Sequence, residues 1–214
     1  MQQSTPLEKQ ALGLFHNFEI NDRSAPTVFM VHGRAGDARV MLAFRRILPE
    51  GWNIFLPEAP LNDPQGGFSW WRVDHSEDTQ KQERRQNIAS LSDFIDKALN
   101  YHQITNKKVI GVGFSQGSAA LSRIFLSSYK LSALAVLAGF ILPTEGTVTS
   151  NRRPVFIGHG TKDDIITLDR SQKGESLLKE LGYSVATFYD EVGHKIGTNA
   201  MKGLKNWMQT LPEV

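Results

Sequence analysis

Short apolar runs recur along the chain, separated by longer segments in which apolar residues are spaced as on one face of a helix. The runs are bounded by Gly, Pro or Asn, and their length predicts strands. The first run alternates apolar and polar residues, which is typical of an edge strand. Seven strands are expected, at residues 13–20, 27–31, 52–56, 107–112, 131–138, 154–158 and 185–189.

Five segments predict helices. In the longest one, Ile88, Leu91 and Ile95 recur at intervals of three or four residues, which is the spacing of a helix with one apolar face. The helices are expected at 38–48, 78–101, 118–126, 171–181 and 199–209. Strands that alternate with helices predict an α/β fold, with a mostly parallel central sheet of about seven strands and helices on both faces.

The connection at residues 58–71 is long and has no predicted structure. A loop of this length in a small domain is usually functional, because loops carry binding residues on a rigid scaffold. It ends in Phe68, Trp70 and Trp71, which we expect to contact a substrate; core packing is the alternative for these rings. The same apolar strip could form a dimer face, so both a monomer and a homodimer stay open.

Composition limits the class of protein. The chain has 214 residues, of which 40% are hydrophobic and 21% are charged, as in ordinary globular proteins. Without an internal repeat or linker, residues 1–214 are expected to form a single domain. The net charge is +2 with no dominant basic block, so we expect no nucleic-acid partner.

The sequence lacks cysteine, clusters of metal ligands and long apolar runs, and each absence excludes a class of site or segment. The chain contains no cysteine, which excludes a disulfide framework, a thiolate metal site and a cysteine nucleophile. No cluster of His, Asp and Glu has ligand spacing, so no metal is expected. The first residues are polar and no apolar run is long enough to span a bilayer, which predicts a cytoplasmic protein without a signal peptide or transmembrane segment.

The pentapeptide Gly-Phe-Ser-Gln-Gly at 113–117 stands between a predicted strand and a predicted helix. A chain that passes from strand to helix at one residue strains that residue and leaves no room for side chains two positions away. Gly113 and Gly117 satisfy this requirement, and the turn would hold the Ser115 hydroxyl at the carboxyl edge of the sheet. An ordinary Gly/Ser turn has the same composition, so the assignment depends on partner residues.

A serine nucleophile needs a base to take its proton, an acid to orient that base, and donors for the developing oxyanion. Asp163 follows the strand at 154–158, and His194 follows the strand at 185–189. The order Ser, Asp, His is the one that a nucleophile elbow between strand and helix imposes. We therefore predict Ser115 as nucleophile, Asp163 as acid and His194 as base.

Other residues compete for these roles. Asp164 and Asp169 could replace Asp163, which is favoured because it lies closest to the end of its strand. His194 taken alone could be an exposed loop histidine, but the other five histidines fit less well, since none follows a strand in the required order. Asp190 and Glu191 precede His194 closely and are expected to be surface charges.

The oxyanion would be bound by two backbone amides. One is the N–H of Gln116, directly after the nucleophile, and the other would come from the loop after an early strand. That loop is His-Gly-Arg-Ala-Gly-Asp at 32–37, in which the glycines on both sides of Arg34 would let a substrate reach the backbone. An ordinary glycine-rich turn is the alternative.

Taken together, these segments resemble the carboxylesterase and acyl-protein thioesterase (phospholipase/carboxylesterase) branch of the α/β-hydrolase superfamily. The likeness covers nearly the whole chain and rests on five segments in order: 32–37, Pro-Glu-Ala-Pro at 57–60, the pentapeptide at 113–117, His-Gly-x-x-Asp at 159–163, and Gly-His-x-Ile at 193–196. The resemblance implies an α/β-hydrolase without a large cap domain that cleaves carboxylic esters, thioesters or lysophospholipids. It also implies that Ser115, Asp163 and His194 act without a cofactor.

Two positions depart from the family pattern. Arg34 stands where the family often has Leu, so its side chain would bring a cation to the pocket rim and favour a substrate with a carboxylate or phosphate. Asp164 stands where Pro is usual, so the turn after Asp163 could differ. Two other functions remain open: an acyltransferase or perhydrolase with the same three residues, and a non-catalytic binding protein on the same fold.

Overall fold

The computed structural model describes residues 1–144, 148 and 152–212. The predicted domain of residues 1–214 includes 145–147, 149–151, 213 and 214, which lie outside the described residues. Within those ranges the strands are β1 (Gln2–Gln3), β2 (His16–Glu19), β3 (Thr27–Val31), β4 (Asn53–Pro57), β5 (Leu61–Asn62), β6 (Phe68–Ser69), β7 (Val109–Phe114), β8 (Ala133–Leu137), β9 (Pro154–Gly160) and β10 (Ser184–Asp190).

The helices lie between these strands or at the ends of the chain. They are α1 (Pro6–Leu12), a 3₁₀ helix (Val40–Ile47), α2 (Glu77–Tyr101), α3 (Gln116–Ser127), α4 (Leu168–Glu180) and α5 (Thr198–Thr210). All seven predicted strands are present, as are the four predicted segments that became α2 to α5, with ends shifted by no more than three residues.

The main sheet has eight strands in the order β1-β2-β4-β3-β7-β8-β9-β10. In this order every neighbouring pair from β4 to β10 is parallel. The pairs β1–β2 and β2–β4, at one edge of the sheet, are antiparallel. The mostly parallel sheet is therefore confirmed, with one strand more than expected. The additional strand β1 is two exposed polar residues long, so it carries no hydrophobic signal.

The core lies on both faces of the sheet. Along β3, Phe29 and Val31 face a cluster that includes residues of α1 to α4, whereas Val28 and Met30 face residues of the 3₁₀ helix and α5. A strand covered on both sides must be apolar at every position, which explains the unbroken apolar run. The predicted α/β-hydrolase class with helices on both faces is confirmed.

The helix expected at 38–48 is a 3₁₀ helix over Val40–Ile47. Its buried side chains are Met41, Phe44 and Ile47, which recur at intervals of three residues. A 3₁₀ helix has three residues per turn and aligns such residues on one edge, whereas an α-helix would spread them around its surface. The spacing of the apolar residues therefore explains the tighter helix.

Two short features fall where no regular structure was expected. Helix α1 begins with a capping box in which Thr5 Oγ1 accepts a hydrogen bond from Glu8 N–H and the Glu8 carboxylate accepts one from Thr5 N–H. This pattern was present in the sequence. In the predicted loop at 58–71, β5 and β6 pair as a separate antiparallel hairpin, and their two-residue length gave no periodic signal.

No helix in the described ranges is long and apolar enough to cross a membrane.

Folding stability is expected to fall between pH 7.5 and pH 5. Burial lowers the pKa of His16, His32, His102 and His159 below the ordinary value of 6.5, so the unfolded chain takes up protons on these side chains at a higher pH than the folded chain does. Each such histidine can cost up to about 1.4 kcal/mol for every pH unit between 6.5 and its lowered pKa. Urea unfolding at several pH values measures this dependence. A midpoint that stays constant from pH 7.5 to pH 5 would contradict it.

Candidate active site

Ser115 occupies the sharp turn between β7 and α3. Its backbone has φ 51° and ψ −117°, a left-handed conformation that costs a non-glycine residue roughly 1–3 kcal/mol. A Cβ at Gly113 would collide with the backbone of Ser118, and one at Gly117 would collide with the carbonyl oxygens of Val31 and His32. The two glycines are therefore required by the close approach of the backbone, and the turn has the geometry of a nucleophile elbow.

Three loops at the carboxyl ends of β7, β9 and β10 bring Ser115, Asp163 and His194 together. The Nε2 atom of His194 lies 3.1 Å from Ser115 Oγ, and its Nδ1 atom lies 2.8 Å from Asp163 Oδ2. Both distances are within the range of hydrogen bonds. The three predicted side chains thus form one continuous chain of contacts, although 79 residues separate the first from the last.

The Asp163 carboxylate is fully buried and satisfied on both oxygens. Its Oδ1 atom accepts the N–H groups of Ile165 and Ile166 at 3.0 and 2.9 Å, and Oδ2 accepts from His194. Burial by itself raises the pKa of Asp163, but the His194 contact and the two amides lower it below its ordinary value. Asp163 is therefore ionised at neutral pH.

The two competing aspartates lie elsewhere. Asp164 is exposed, and Asp169 in α4 pairs with Lys173 at 2.8 Å on the surface. The chain turns after Asp163 so that its own carboxylate is directed inward.

The loop after β3 passes directly beside Ser115. A Cβ at Gly33 would lie 3.0 Å from the Cβ of Ser115, so the following residue, Arg34, is next to the candidate nucleophile. Within the described ranges, neither the N–H of Arg34 nor that of Gln116 donates a hydrogen bond. The structure therefore provides two backbone donors without acceptors near the Ser115 hydroxyl, as an oxyanion hole requires.

The side chain of Arg34 is balanced by a carboxylate that the sequence analysis did not single out. Its Nε atom donates to Asp63 Oδ2 at 2.9 Å, and the Asp63 side chain is 1% exposed. Burial raises the pKa of Asp63, but hydrogen bonds from Gln65, Ser69 and Arg34 lower it below its ordinary value. The expected free cation at the pocket rim is thus an ion pair.

The side chain of Gln116 forms two hydrogen bonds with the backbone of the tryptophan segment, Trp70 and Trp71. Its Oε1 accepts the Trp70 N–H at 3.1 Å, and its Nε2 donates to the Trp71 carbonyl at 2.9 Å. The Trp70 indole in turn donates to the His32 carbonyl at 2.9 Å. These three hydrogen bonds connect Gln116, the residue after Ser115, to the tryptophan segment and to the loop after β3.

The burial of Trp70 and Trp71 corrects the prediction that these two rings contact a substrate. Trp70 has no exposed surface and Trp71 has 4%, so both rings belong to the core and neither is available as a pocket wall. Phe68 is half-buried in β6, and its N–H donates to the Gly36 carbonyl at 2.7 Å. Of the three aromatic residues, Phe68 is the least buried, and it lies beside the Arg34 loop.

Two further buried acids support loops near the site. Asp190 was expected to be a surface charge, but it is 8% exposed, and its Oδ2 accepts the N–H of Ala200 at 2.8 Å in the first turn of α5. Glu83 is also buried, and it accepts hydrogen bonds from both the backbone and the guanidinium of Arg72. The two contacts span 10 and 11 positions, and each joins a residue of a helix to a residue that precedes that helix, which sequence patterns do not reveal.

In the part of the chain that the structure describes, no group of three or more His, Asp or Glu side chains is arranged to hold a metal ion.

The chain is similar in sequence to known hydrolases. A family model described as phospholipase/carboxylesterase matches residues 19–212. Acyl-protein thioesterase 1 of Debaryomyces hansenii is 27% identical over 173 residues, which cover 73% of this chain and 75% of the relative. MhqD of Bacillus subtilis, named as a hydrolase, is 28% identical over 119 residues, which cover 55% of this chain and 60% of the length of MhqD.

The fold is also similar to that of solved structures. A Bacillus cereus carboxylesterase has a TM-score of 0.83 at 18% identity, with 94% of this chain and 96% of the other covered. At this identity the similarity concerns the fold alone.

Proposed function

Since the chain belongs to the phospholipase/carboxylesterase family of esterase-type hydrolases, we propose that it cleaves small-molecule carboxylic esters or thioesters with Ser115 as nucleophile. The observation that carries this proposal is the continuous contact from Asp163 through His194 to Ser115, at 2.8 and 3.1 Å. The free amides of Arg34 and Gln116 support it, because they supply the second requirement of acyl transfer.

In the first half of the reaction, His194 Nε2 takes the proton of Ser115 as Oγ forms a bond to the acyl carbon. The carbonyl oxygen becomes an oxyanion that the amides of Arg34 and Gln116 stabilise. When the tetrahedral intermediate collapses, the bond to the leaving alcohol or thiol breaks, and the leaving group receives the proton from His194. The product of this half is an acyl-enzyme on Ser115.

In the second half, a water molecule replaces the departed alcohol or thiol. His194 takes a proton from this water, whose oxygen attacks the acyl carbon, and then returns the proton to Ser115 Oγ as the acyl–oxygen bond breaks. The carboxylic acid leaves and the enzyme is restored. Throughout, the Asp163 carboxylate holds the proton on Nδ1 of His194 and stabilises the imidazolium that forms.

A fluorophosphonate probe tests this proposal without knowledge of the natural substrate. We expect one phosphonyl adduct per chain, located by peptide mass spectrometry on Ser115, because only an activated serine attacks such a probe at neutral pH. Esterase activity toward 4-nitrophenyl hexanoate should disappear in proportion to labelling. An unlabelled chain, or an adduct on another serine with Ser115 intact, would refute the assignment.

A further inference from the structure

Two arginines near the candidate site have their guanidinium groups over aromatic rings. The Arg170 Cζ lies 3.4 Å from the centroid of the Phe140 ring, and the Arg84 Cζ lies 6.0 Å from that of the Trp71 ring. Stacking on a ring holds a guanidinium in place while leaving its N–H groups at the edges available to acceptors.

Both rings belong to segments that contact Ser115 or the residue after it, Gln116. The Trp71 carbonyl accepts a hydrogen bond from the Gln116 side chain. Phe140 follows Gly139, where a Cβ would lie 3.0 Å from the Ser115 carbonyl oxygen. The two arginines therefore stand over the same end of the sheet as Ser115, one on α2 and one in the first turn of α4.

Neither guanidinium forms an ion pair with a carboxylate in the part of the chain that the structure describes. Arg84 and Arg170 form no side-chain hydrogen bond and no ion pair with any described residue, and one acidic residue on each of their helices pairs with a lysine instead. Glu77 pairs with Lys81 at 3.0 Å, and Asp169 pairs with Lys173 at 2.8 Å. Burial lowers the pKa of Arg170, and the positive charge of Arg84 lowers it further, so the two cations are close enough to repel each other.

Two neighbouring cations that repel each other both interact favourably with an anion that lies between them. We propose that Arg84 and Arg170 together bind an anionic group, a carboxylate or a phosphate, of the ester substrate. The proposal rests on the proposed function, since it places this group on the molecule whose ester bond Ser115 attacks. It also moves the expected anion site away from Arg34, whose charge Asp63 already balances.

Paired esters that differ only in charge test this site. We compare kcat/KM for 4-nitrophenyl monoesters of adipic, suberic and sebacic acids with those for 4-nitrophenyl hexanoate, octanoate and decanoate. The wild type should prefer the anionic member at the chain length that reaches the arginines. Octyl phosphate, added as an inhibitor of octanoate ester hydrolysis, tests whether the site takes phosphate instead of carboxylate.

Variants identify the residues responsible. Arg84→Gln and Arg170→Gln should each lower kcat/KM for the preferred anionic ester by about tenfold or more, since each removes a charged hydrogen bond. The kcat/KM for the neutral ester should change by no more than about twofold, because this substrate carries no charge that the arginine could bind. Arg46→Gln, which removes an equal charge from the exposed face of the 3₁₀ helix, should leave both esters unchanged.

The outcomes separate this inference from the proposed function. If neutral esters are cleaved but the wild type shows no preference for any anionic ester and no inhibition by octyl phosphate, the anion site does not exist. If the preference exists but survives both substitutions, it resides elsewhere and the assignment to these arginines is wrong. If no ester is cleaved and no probe labels Ser115, the proposed function itself fails. Should one variant be unstable, the other still tests the assignment, and the wild-type preference, which must weaken as salt rises, still decides whether an anion site exists.

Discussion

Replacing Ser115 with alanine is expected to lower kcat/KM for a neutral aryl ester by roughly ten-thousand-fold or more, because the substitution removes the atom that forms the bond to the acyl carbon. The amides of Arg34 and Gln116 would remain and would still stabilise a tetrahedral intermediate formed by water, so a small residual rate is expected. KM should change little, since the Ser115 hydroxyl contributes little to ground-state binding. Initial rates with 4-nitrophenyl hexanoate measure the effect.

A second serine on the same helix provides the control. Ser127 lies in the last turn of α3, where its Oγ donates to the Arg123 carbonyl at 2.7 Å, and Ser127→Ala should keep wild-type kcat/KM. Both variants should unfold near the wild-type temperature. If Ser115→Ala retains more than about a tenth of the wild-type rate, the nucleophile is another group and the contact with His194 has a different purpose.

The sequence predicted the strands and the three candidate residues because both depend on local patterns joined by topology. Ser115, Asp163 and His194 each lie within four residues of the end of a strand, and parallel strands bring such positions to one edge of the sheet. The pentapeptide at 113–117 then requires a particular backbone turn. The order of strands then explains why these side chains meet, and the structure gives the distances between them, 2.8 and 3.1 Å.

The supporting contacts could not be predicted, because they depend on the path of the 58–71 segment. Gln116 and Trp70 are hydrogen-bonded although 46 positions separate them, and Arg34 and Asp63 although 29 positions separate them. The β5–β6 hairpin brings both pairs together, and its two-residue strands are too short to show a hydrophobic period. Hydrophobicity is equally high for a buried ring and for a pocket wall, so composition could not distinguish the core position of Trp70 from substrate contact.

Replacing Asp163 with asparagine is expected to lower kcat/KM by roughly a hundred- to ten-thousand-fold at pH 7.5 through the tautomer of His194. The asparagine oxygen can still accept the N–H groups of Ile165 and Ile166, which preserves the turn. Its NH₂ group would then face His194 Nδ1 and donate to it, which forces the imidazole proton onto Nε2. A histidine protonated at Nε2 cannot take the proton of Ser115, so raising the pH to 8.5 should not restore the activity.

The neighbouring aspartate makes this experiment decisive about the acid. Asp164→Asn carries the same change one position later, at an exposed side chain, and should keep activity within about twofold of the wild type. Equal losses in the two variants would mean that the charge near the turn, rather than the contact at 2.8 Å with His194, sustains activity. A loss confined to Asp163→Asn, in a protein that unfolds at the wild-type urea concentration, is the result that orientation of the imidazole requires.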